Sequence, residues 1–284
     1  MKRREFLSIA ALIPLFAGTI YSQPLSVNDS ESRKLFDRMI ARLKKLEFHK
    51  LPIGELMGKI GIQLIGTEYA GGTLEGPGET CRVSLHGLDC VTFVELTLCT
   101  ARILKKGKTS FDDLVKEITF TRYRKGKITD YTSRLHYTSE WIIDNVEKKV
   151  IKDMGKELNA DQFQPDVYFM SENPKYYNPL LQDTSLISKM KYIEKEINWH
   201  KLYYIPKKQI SEIEDNLKTG DIIAITTSKN GLDYSHMGLA IHENDVIRLM
   251  HASSKRRQVV LDSELNKYME KIESNTGISV LRPL

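Results

Sequence analysis

The sequence predicts an α+β fold in which helices pack on an antiparallel β-sheet. Apolar residues recur at helical spacing between positions 29 and 107, and from position 221 onward they alternate with polar residues in a period of two. Helices followed by a run of strands are typical of a sheet that packs against a helical layer. With 284 residues, of which 41% are hydrophobic, the chain is long enough to bury a sizeable core.

The first 22 residues have the composition of a secretory signal peptide. A basic start, MKRREF, is followed by the apolar run LSIAALIPLFAGTI and then by small or polar residues. The run is shorter than the roughly 20 residues that a spanning helix needs. We therefore predict cleavage near Ser22 and export to the periplasm or the cell exterior, without stable membrane insertion. RREFL also resembles the twin-arginine pattern, so the export route stays open.

The charge balance argues against a nucleic-acid partner. Removing residues 1–22 takes away three basic residues and one acidic residue, which lowers the formal net charge from +5 to +3. This excess is too small for a surface that tracks a phosphate backbone. We expect residues 23–284 to form a single catalytic domain and a monomer.

Helical segments precede the predicted sheet. Residues 29–59 read as helices, and the glycine-rich stretch TEYAGGTLEGPGET leads to a helix that begins at Cys90 and ends near Gly107. Next come a helix in SFDDLVKEI, a strand in ITFTRYR, and a loop and helix in SRLHYTSEWIIDNVEKK. Residues 155–200 are polar and contain three prolines, which indicates an insertion of short helices over the core.

Residues 221–284 predict an antiparallel sheet. The expected strands are DIIAITT, SHMGLAIHE, VIRLMHASS, QVVLD and ISVLRPL, with NG and ND turn signals between the first three. One helix, SELNKYMEKIES, precedes the last strand.

Cys90 is a candidate nucleophile. Asp89 is a suitable N-cap residue, and the helix that follows is apolar on nearly every side, so we expect it in the core. A thiol in the first turn of a helix is close to free N–H groups that favour a thiolate. The other two cysteines, Cys81 and Cys99, are either a disulfide or two buried thiols.

Two of the seven histidines are candidates for a base and its orienting partner. His236 and His251 lie on successive predicted strands. If Asn244 and Asp245 form the centre of a two-residue turn, Gly238 pairs with His251 and both imidazoles project from one face as diagonal neighbours. A change of one residue in the loop would place them on opposite faces.

Other site chemistries lack a matching pattern. One cysteine and two histidines can bind zinc, but no C-x-x-C or H-x-x-x-H pair closes such a site. GGTLEGPG is not followed by Lys-Ser/Thr, as a phosphate-binding loop would be. Acidic residues are frequent, yet no pair stands out as the two carboxyl groups of a glycosidase. We therefore expect no metal and no organic cofactor.

The motifs taken together resemble a known family of cell-wall hydrolases. LDCVTFVE, GDIIAI, GLDYSHMGLAI and LMHASS occur in this order, with TEYAGGTLE upstream. They resemble the NlpC/p60 superfamily of papain-like cysteine hydrolases, and within it the N-acetylmuramoyl-L-alanine amidase-like branch, the DUF1460 family. The resemblance implies a papain-like fold and cleavage of the amide between the lactyl group of N-acetylmuramic acid and L-alanine.

The resemblance also implies roles for individual residues. Cys90 would be the nucleophile, His236 the base and later the acid, and His251 the residue that orients the base. Tyr69 would lie beside the nucleophile and help to bind an oxyanion, although Glu68 stands where a proline usually precedes this tyrosine. In a motif of the branch, SRLHYTSEW, the substrate-binding residues would be Arg134, His136 and Tyr137.

Two other functions remain open at this point. A peptidase of the same superfamily would cut within the stem peptide of peptidoglycan, and a non-catalytic module would only bind the cell wall. An intact cysteine and two histidines argue against the second. In each case the partner is peptidoglycan or a released muropeptide.

Overall fold

The computed structural model describes residues 28–284, so the predicted signal peptide lies outside the described residues. The helices are α1 (Ser30–Leu43), α2 (Ile53–Leu64), α3 (Cys90–Lys105), α4 (Phe111–Arg122), α5 (Thr138–Glu147), α6 (Phe169–Glu172), α7 (Asn178–Gln182), α8 (Ser185–Ile197), α9 (Ile210–Ile213) and α10 (Leu265–Glu270). The strands are β1 (Glu68–Tyr69), β2 (Gly87–Leu88), β3 (Ile151–Asp153), β4 (Asp161–Phe163), β5 (Leu202–Pro206), β6 (Ile222–Thr227), β7 (Tyr234–Glu243), β8 (Val246–Ser253), β9 (Gln258–Glu264) and β10 (Asn275–Pro283).

The strands form one sheet in the order β2-β1-β9-β8-β7-β6-β10-β5-β4, and β3 also pairs with β10. The five strands predicted from the alternating pattern correspond to β6 to β10. Their pairings are antiparallel, but β1 and β2 pair in parallel at one edge. The predicted antiparallel pairing is therefore confirmed for β6 to β10, but the whole sheet is mixed, because the two-residue strands β1 and β2, too short to show a pattern, pair in parallel.

The turn between β7 and β8 has the predicted register. Glu243 pairs with Val246, and the two residues between them, Asn244 and Asp245, have φ values of 49° and 63°. Positive φ at both central residues is typical of a type I′ turn, whose twist matches that of the strands. Because this turn determines how the two strands pair, it also determines which face of the sheet each side chain of the hairpin points to.

The predicted strand in ITFTRYR is wrong, because α4 continues to Arg122. Ser110 caps the helix, and Ile118, Thr121 and Arg122 are buried at helical spacing. Isoleucine and threonine favour strands only weakly, and packing against a neighbouring element overrides that preference. Residues 155–200 contain α6 to α8 and also β4, a strand that the sequence does not predict.

The core surrounds α3 and both faces of the sheet. Phe93, Val94, Leu96 and Leu98 of α3 are fully buried, and each side chain of this kind contributes roughly 1.5–3 kcal/mol through burial. One apolar cluster joins α1 to α4 to one face of the sheet, and a second joins α9 and α10 to the other face. The first turn of α3 is thereby held against β7 and β8.

Candidate active site

Asp89 sets the start of α3. Its Oδ1 accepts the Thr92 N–H over 2.8 Å, and Thr92 Oγ1 accepts the Asp89 N–H over 2.8 Å. This reciprocal pair is a capping box, which satisfies two N–H groups that a helix end leaves unpaired. Cys90 is consequently the first residue of the helix, as predicted.

Cys90 is partly exposed, and its environment favours the neutral thiol. Burial, followed by the charge of Asp89, raises the pKa of Cys90 to about 12, while the backbone N–H groups of Met237, Val91 and Cys90 act in the opposite direction. The thiolate expected from the helix N-terminus is therefore not the favoured resting form. Desolvation outweighs the nearby N–H groups.

The other two cysteines are free thiols in the core. Cys81 is 4% exposed and Cys99 is 0% exposed, so of the two readings that the sequence left open, the structure has the buried thiols. Within residues 28–284, His, Cys, Asp and Glu side chains do not form a group of three or more that could hold a metal ion.

The two predicted histidines are in direct contact. His236 Nε2 and His251 Nδ1 are 2.6 Å apart, and the ring planes are nearly perpendicular, at 87°. The diagonal arrangement that the turn predicts is thus confirmed. Burial, and then the proximity of His251, lower the pKa of His236 to about 3, so the imidazole is neutral at physiological pH.

Asp262 of β9 extends this pair to a third group. Its Oδ2 lies 3.5 Å from His251 Nε2, and its Oδ1 accepts the Ser263 N–H over 2.6 Å. The sequence does not single out Asp262. His251 pairs with Val260, which makes Asp262 its diagonal neighbour, but the register of this hairpin contains an irregularity that no sequence pattern reveals.

Tyr268 of α10 covers the histidine pair. Its ring centroid is 6.3 Å from that of His236 and 5.1 Å from that of His251. Burial, followed by the charges of Asp262 and Cys90, raises the pKa of Tyr268 to about 12. The sequence gives no signal for this contact, since α10 follows the two histidines in the chain and reaches them only through the fold.

Tyr69 lies next to the segment that leads into α3. It pairs with Leu88 across the parallel strands β1 and β2, and its N–H donates to Arg257 O over 2.9 Å. Burial, and then the charges of Cys90 and Asp89, raise the pKa of Tyr69 to about 12. The Tyr69 hydroxyl, which lies near the Cys90 thiol, therefore keeps its proton and can donate a hydrogen bond.

Arg134 is buried beneath the glycine-rich loop. It is 4% exposed, and its Nη1 and Nη2 lie 3.0 Å from Glu75 Oε1 and 3.4 Å from Glu79 Oε2. Its guanidinium also lies over the Tyr131 ring, at 4.9 Å from the centroid. The side chain thus ties the loop after β1 to the segment before α5.

His136 and Tyr137 have different surroundings. His136 is half-buried and donates from Nε2 to Tyr131 O over 2.8 Å, and burial, followed by the charge of Arg134, lowers its pKa to about 3. Tyr137 is buried, and its hydroxyl donates to Glu194 Oε1 of α8 over 2.7 Å. Of the three residues in the SRLHYTSEW motif that we expected to bind substrate, Arg134 and Tyr137 are buried and only His136 is partly exposed.

Asp233 connects the start of β7 to α5. Its Oδ2 accepts the Ser139 N–H at the start of α5 over 2.7 Å, and its Oδ1 accepts the Tyr234 N–H over the same distance. The carboxylate therefore supports the strand that carries His236.

A thiol at the N-terminus of a buried helix, beside a hydrogen-bonded histidine pair on a sheet, is an arrangement suited to nucleophilic hydrolysis. The chain belongs to the AmiA-like family, described as N-acetylmuramoyl-L-alanine amidase-like, whose model matches residues 59–278. The match includes Tyr69, Cys90, His236 and His251.

Several solved structures are similar to the chain. An N-acetylmuramoyl-L-alanine amidase from Bacteroides uniformis is 33% identical, with a TM-score of 0.78 over 82% of this chain and 99% of that one. A protein from Bacteroides fragilis named as a candidate xylanase is 35% identical, with a TM-score of 0.74 over 78% and 98%. A Legionella pneumophila protein of the DUF1460 family is 22% identical, with a TM-score of 0.68 over 89% and 95%, and shows the shared fold. No curated protein matches the chain.

Proposed function

We propose that the protein is an exported peptidoglycan amidase that cleaves the amide between the lactyl group of N-acetylmuramic acid and L-alanine, with Cys90 as the nucleophile. One observation carries the proposal. His236 contacts His251 through Nε2, so Nδ1 is the ring nitrogen available to take a proton from a thiol, and the backbone N–H of the next residue, Met237, lowers the pKa of Cys90. The amidase-like family and the amidase from Bacteroides uniformis support the choice of bond.

The mechanism begins from a neutral pair. His236 Nδ1 takes the thiol proton as the Cys90 sulfur attacks the carbonyl carbon. The Cys90 N–H and the Tyr69 hydroxyl donate to the oxyanion of the tetrahedral intermediate. His236 then returns the proton to the nitrogen of L-alanine, which leaves with its peptide. Water, deprotonated by His236, hydrolyses the thioester and regenerates the thiol.

The same site suits glycoside cleavage poorly. Glycosidases generally use two carboxyl groups on either side of the scissile bond. The carboxylates that flank this site, Asp89 and Asp262, are occupied as a helix cap and as a partner of His251. An acyl-transfer reaction instead uses the Cys90 thiol and Nδ1 of His236.

Export places the enzyme where its substrate is found, and this part of the proposal depends on the signal peptide predicted for residues 1–22. In the part of the chain that the structure describes, no helix has both the length and the apolar character needed to cross a bilayer. We infer that the partner is peptidoglycan or a released muropeptide.

Defined muropeptides test the proposal. The wild-type protein and the Cys90→Ala variant are incubated with muropeptides, and the products are identified by mass spectrometry. We expect a free peptide that begins with L-alanine from the wild type and from a Cys81→Ala control, and none from Cys90→Ala. Shortened stem peptides still attached to the sugar would show an endopeptidase instead, and activity that survives in Cys90→Ala would remove Cys90 from the chemistry.

A further inference from the structure

The geometry points to Asp262 as a positioning residue that selects the tautomer of the histidine pair, so that His236 presents an unprotonated Nδ1 to Cys90. This inference rests on the proposed function, because it assigns the means by which the proposed base is kept in its reactive form. Asp262 itself acts through His251 and has no contact with the reacting atoms.

The bond between the two imidazoles has two possible arrangements. In the first, His236 Nε2–H donates to His251 Nδ1, so His236 Nδ1 is a free base and His251 carries its proton on Nε2. In the second, His251 Nδ1–H donates to His236 Nε2, so His236 is protonated on Nδ1 and cannot accept the Cys90 proton. The 2.6 Å contact is compatible with either arrangement.

The Asp262 carboxylate distinguishes the two arrangements. In the first, an N–H of His251 faces the negative oxygen, which is attractive. In the second, the lone pair of Nε2 faces that oxygen, which is repulsive. The 3.5 Å contact is long for a hydrogen bond. The free-energy difference between the two arrangements is nevertheless larger than the energy of that one bond, because one arrangement has an attraction where the other has a repulsion, in a site of low polarity.

The surroundings keep Asp262 charged and in place. Burial raises the pKa of this carboxyl, but the Ser263 N–H and His251 outweigh it, and the net shift is downward. Lys271 Nζ lies 3.7 Å from Oδ1. Arg248 Nε donates to the Asp262 backbone oxygen over 2.8 Å, and the Tyr268 ring covers His251.

This geometry makes an unusual prediction for the amide variant. Asp262 Oδ1 is engaged by the Ser263 N–H at 2.6 Å, so in Asp262→Asn the carbonyl oxygen would remain there and the NH₂ group would face His251 Nε2. An NH₂ group donates and thus stabilises the unproductive arrangement. Asp262→Ala only removes the preference. The isosteric variant should therefore be the more damaging of the two.

Kinetics with muropeptide and NMR of histidine-labelled protein test the inference. We expect kcat to fall about 100-fold in Asp262→Asn, below the loss of ~10⁴ seen when a directly bonded triad aspartate is amidated, with KM nearly unchanged. Asp262→Ala should lose less. Asp153→Asn is a matched control, because Asp153 is also a half-buried sheet aspartate that accepts a local N–H, from Gly155 at 2.8 Å, and it should leave kcat unchanged.

Nitrogen-15 NMR reads the tautomer without reference to activity. In the wild type and in Cys90→Ala we expect His236 to be protonated on Nε2 and bare on Nδ1, and in Asp262→Asn the reverse. The same His236 tautomer in wild type and Asp262→Asn, or a larger kcat loss in Asp262→Ala than in Asp262→Asn, would overturn the role of Asp262. A wild-type protein with the expected tautomer but without amidase activity would instead refute the proposed function.

Discussion

Replacing Arg122 by methionine should destabilise the protein strongly, although Arg122 lies outside the candidate site. Its Nε donates to Glu95 Oε2 over 2.7 Å and its Nη1 donates to Arg82 O over 2.6 Å. The side chains of Arg122 and Glu95 are 4% and 1% exposed. Burial disfavours charge on Arg122, but the Glu95 carboxylate raises the pKa of the guanidinium above its ordinary value. Glu95 belongs to α3, the helix that begins with Cys90.

The magnitude follows from what the substitution leaves behind. Without Arg122, the carboxylate of Glu95 is buried with the Trp141 indole, at 3.3 Å, as its remaining donor. Breaking a buried ion pair on one side typically costs about 3–5 kcal/mol. Since a chain of this size loses about 2–4 °C of Tm per kcal/mol, Tm should fall by roughly 6–20 °C.

The loss should also depend on pH. Burial raises the pKa of the unpaired Glu95, so the folded variant binds a proton more readily than the unfolded chain does. The free energy of unfolding of the variant then decreases as pH rises from the pKa of Glu95 in the unfolded chain to its higher pKa in the folded variant. The loss of stability relative to wild type should therefore be larger at about pH 8 than at about pH 5.

Thermal and urea unfolding, followed by circular dichroism, measure these effects. The double variant Glu95→Met/Arg122→Met should recover most of the loss, because it removes both charges together. Lys152→Met is the exposed control: Lys152 and Glu157 form an ion pair at 2.8 Å with side chains 51% and 42% exposed, so the change should cost less than about 1 kcal/mol. An Arg122→Met variant within 1 kcal/mol of wild type, or a double variant less stable than the single one, would contradict this prediction.

Three further predictions concern the candidate site. Iodoacetamide should label Cys90 at least ~10-fold faster than Cys81 or Cys99, as peptide mapping would show, because the latter two are buried; equal rates would contradict this. His236→Ala should lower kcat by about 10³-fold and His251→Ala by less, since an orienting residue contributes less than the base; the reverse order in steady-state assays would exchange their roles. The pKa of His236 is lowered to about 3 and that of Cys90 is raised to about 12, so both groups are neutral between these two pH values. A plot of kcat/KM against pH should therefore be level from about pH 5 to 9. A fall in kcat/KM on the acid side with a midpoint near pH 6.5 would count against a neutral resting pair.

Much of the sheet was predictable because its determinants are local. Alternation of apolar and polar residues indicates the strands, and two residues that tolerate positive φ, Asn244 and Asp245, determine the register of the β7–β8 hairpin. The helix in residues 118–122 was not predictable in this way. Its residues favour a strand by type, and only their burial against other elements makes them helical.

The candidate site also has features that the sequence predicts and features that it does not. Asp89 and Thr92 cap a helix through neighbours three positions apart, so the position of Cys90 can be read from the sequence. The pKa of that thiol cannot, because burial by distant segments outweighs the effect of the local N–H groups. Export, the catalytic roles of Cys90, His236 and His251, and the identity of the scissile bond stay predictions.

The positions of the candidate residues could be predicted from the sequence: Cys90 at a helix start, and His236 with His251 on one face of a hairpin. These follow from backbone periodicity and turn chemistry, which act over a few residues. Their surroundings, namely Asp262 behind His251 and Tyr268 over both rings, depend on the folded chain. Such contacts depend on an irregular strand pairing and on the packing of α10, which arise when segments far apart in the chain are buried together.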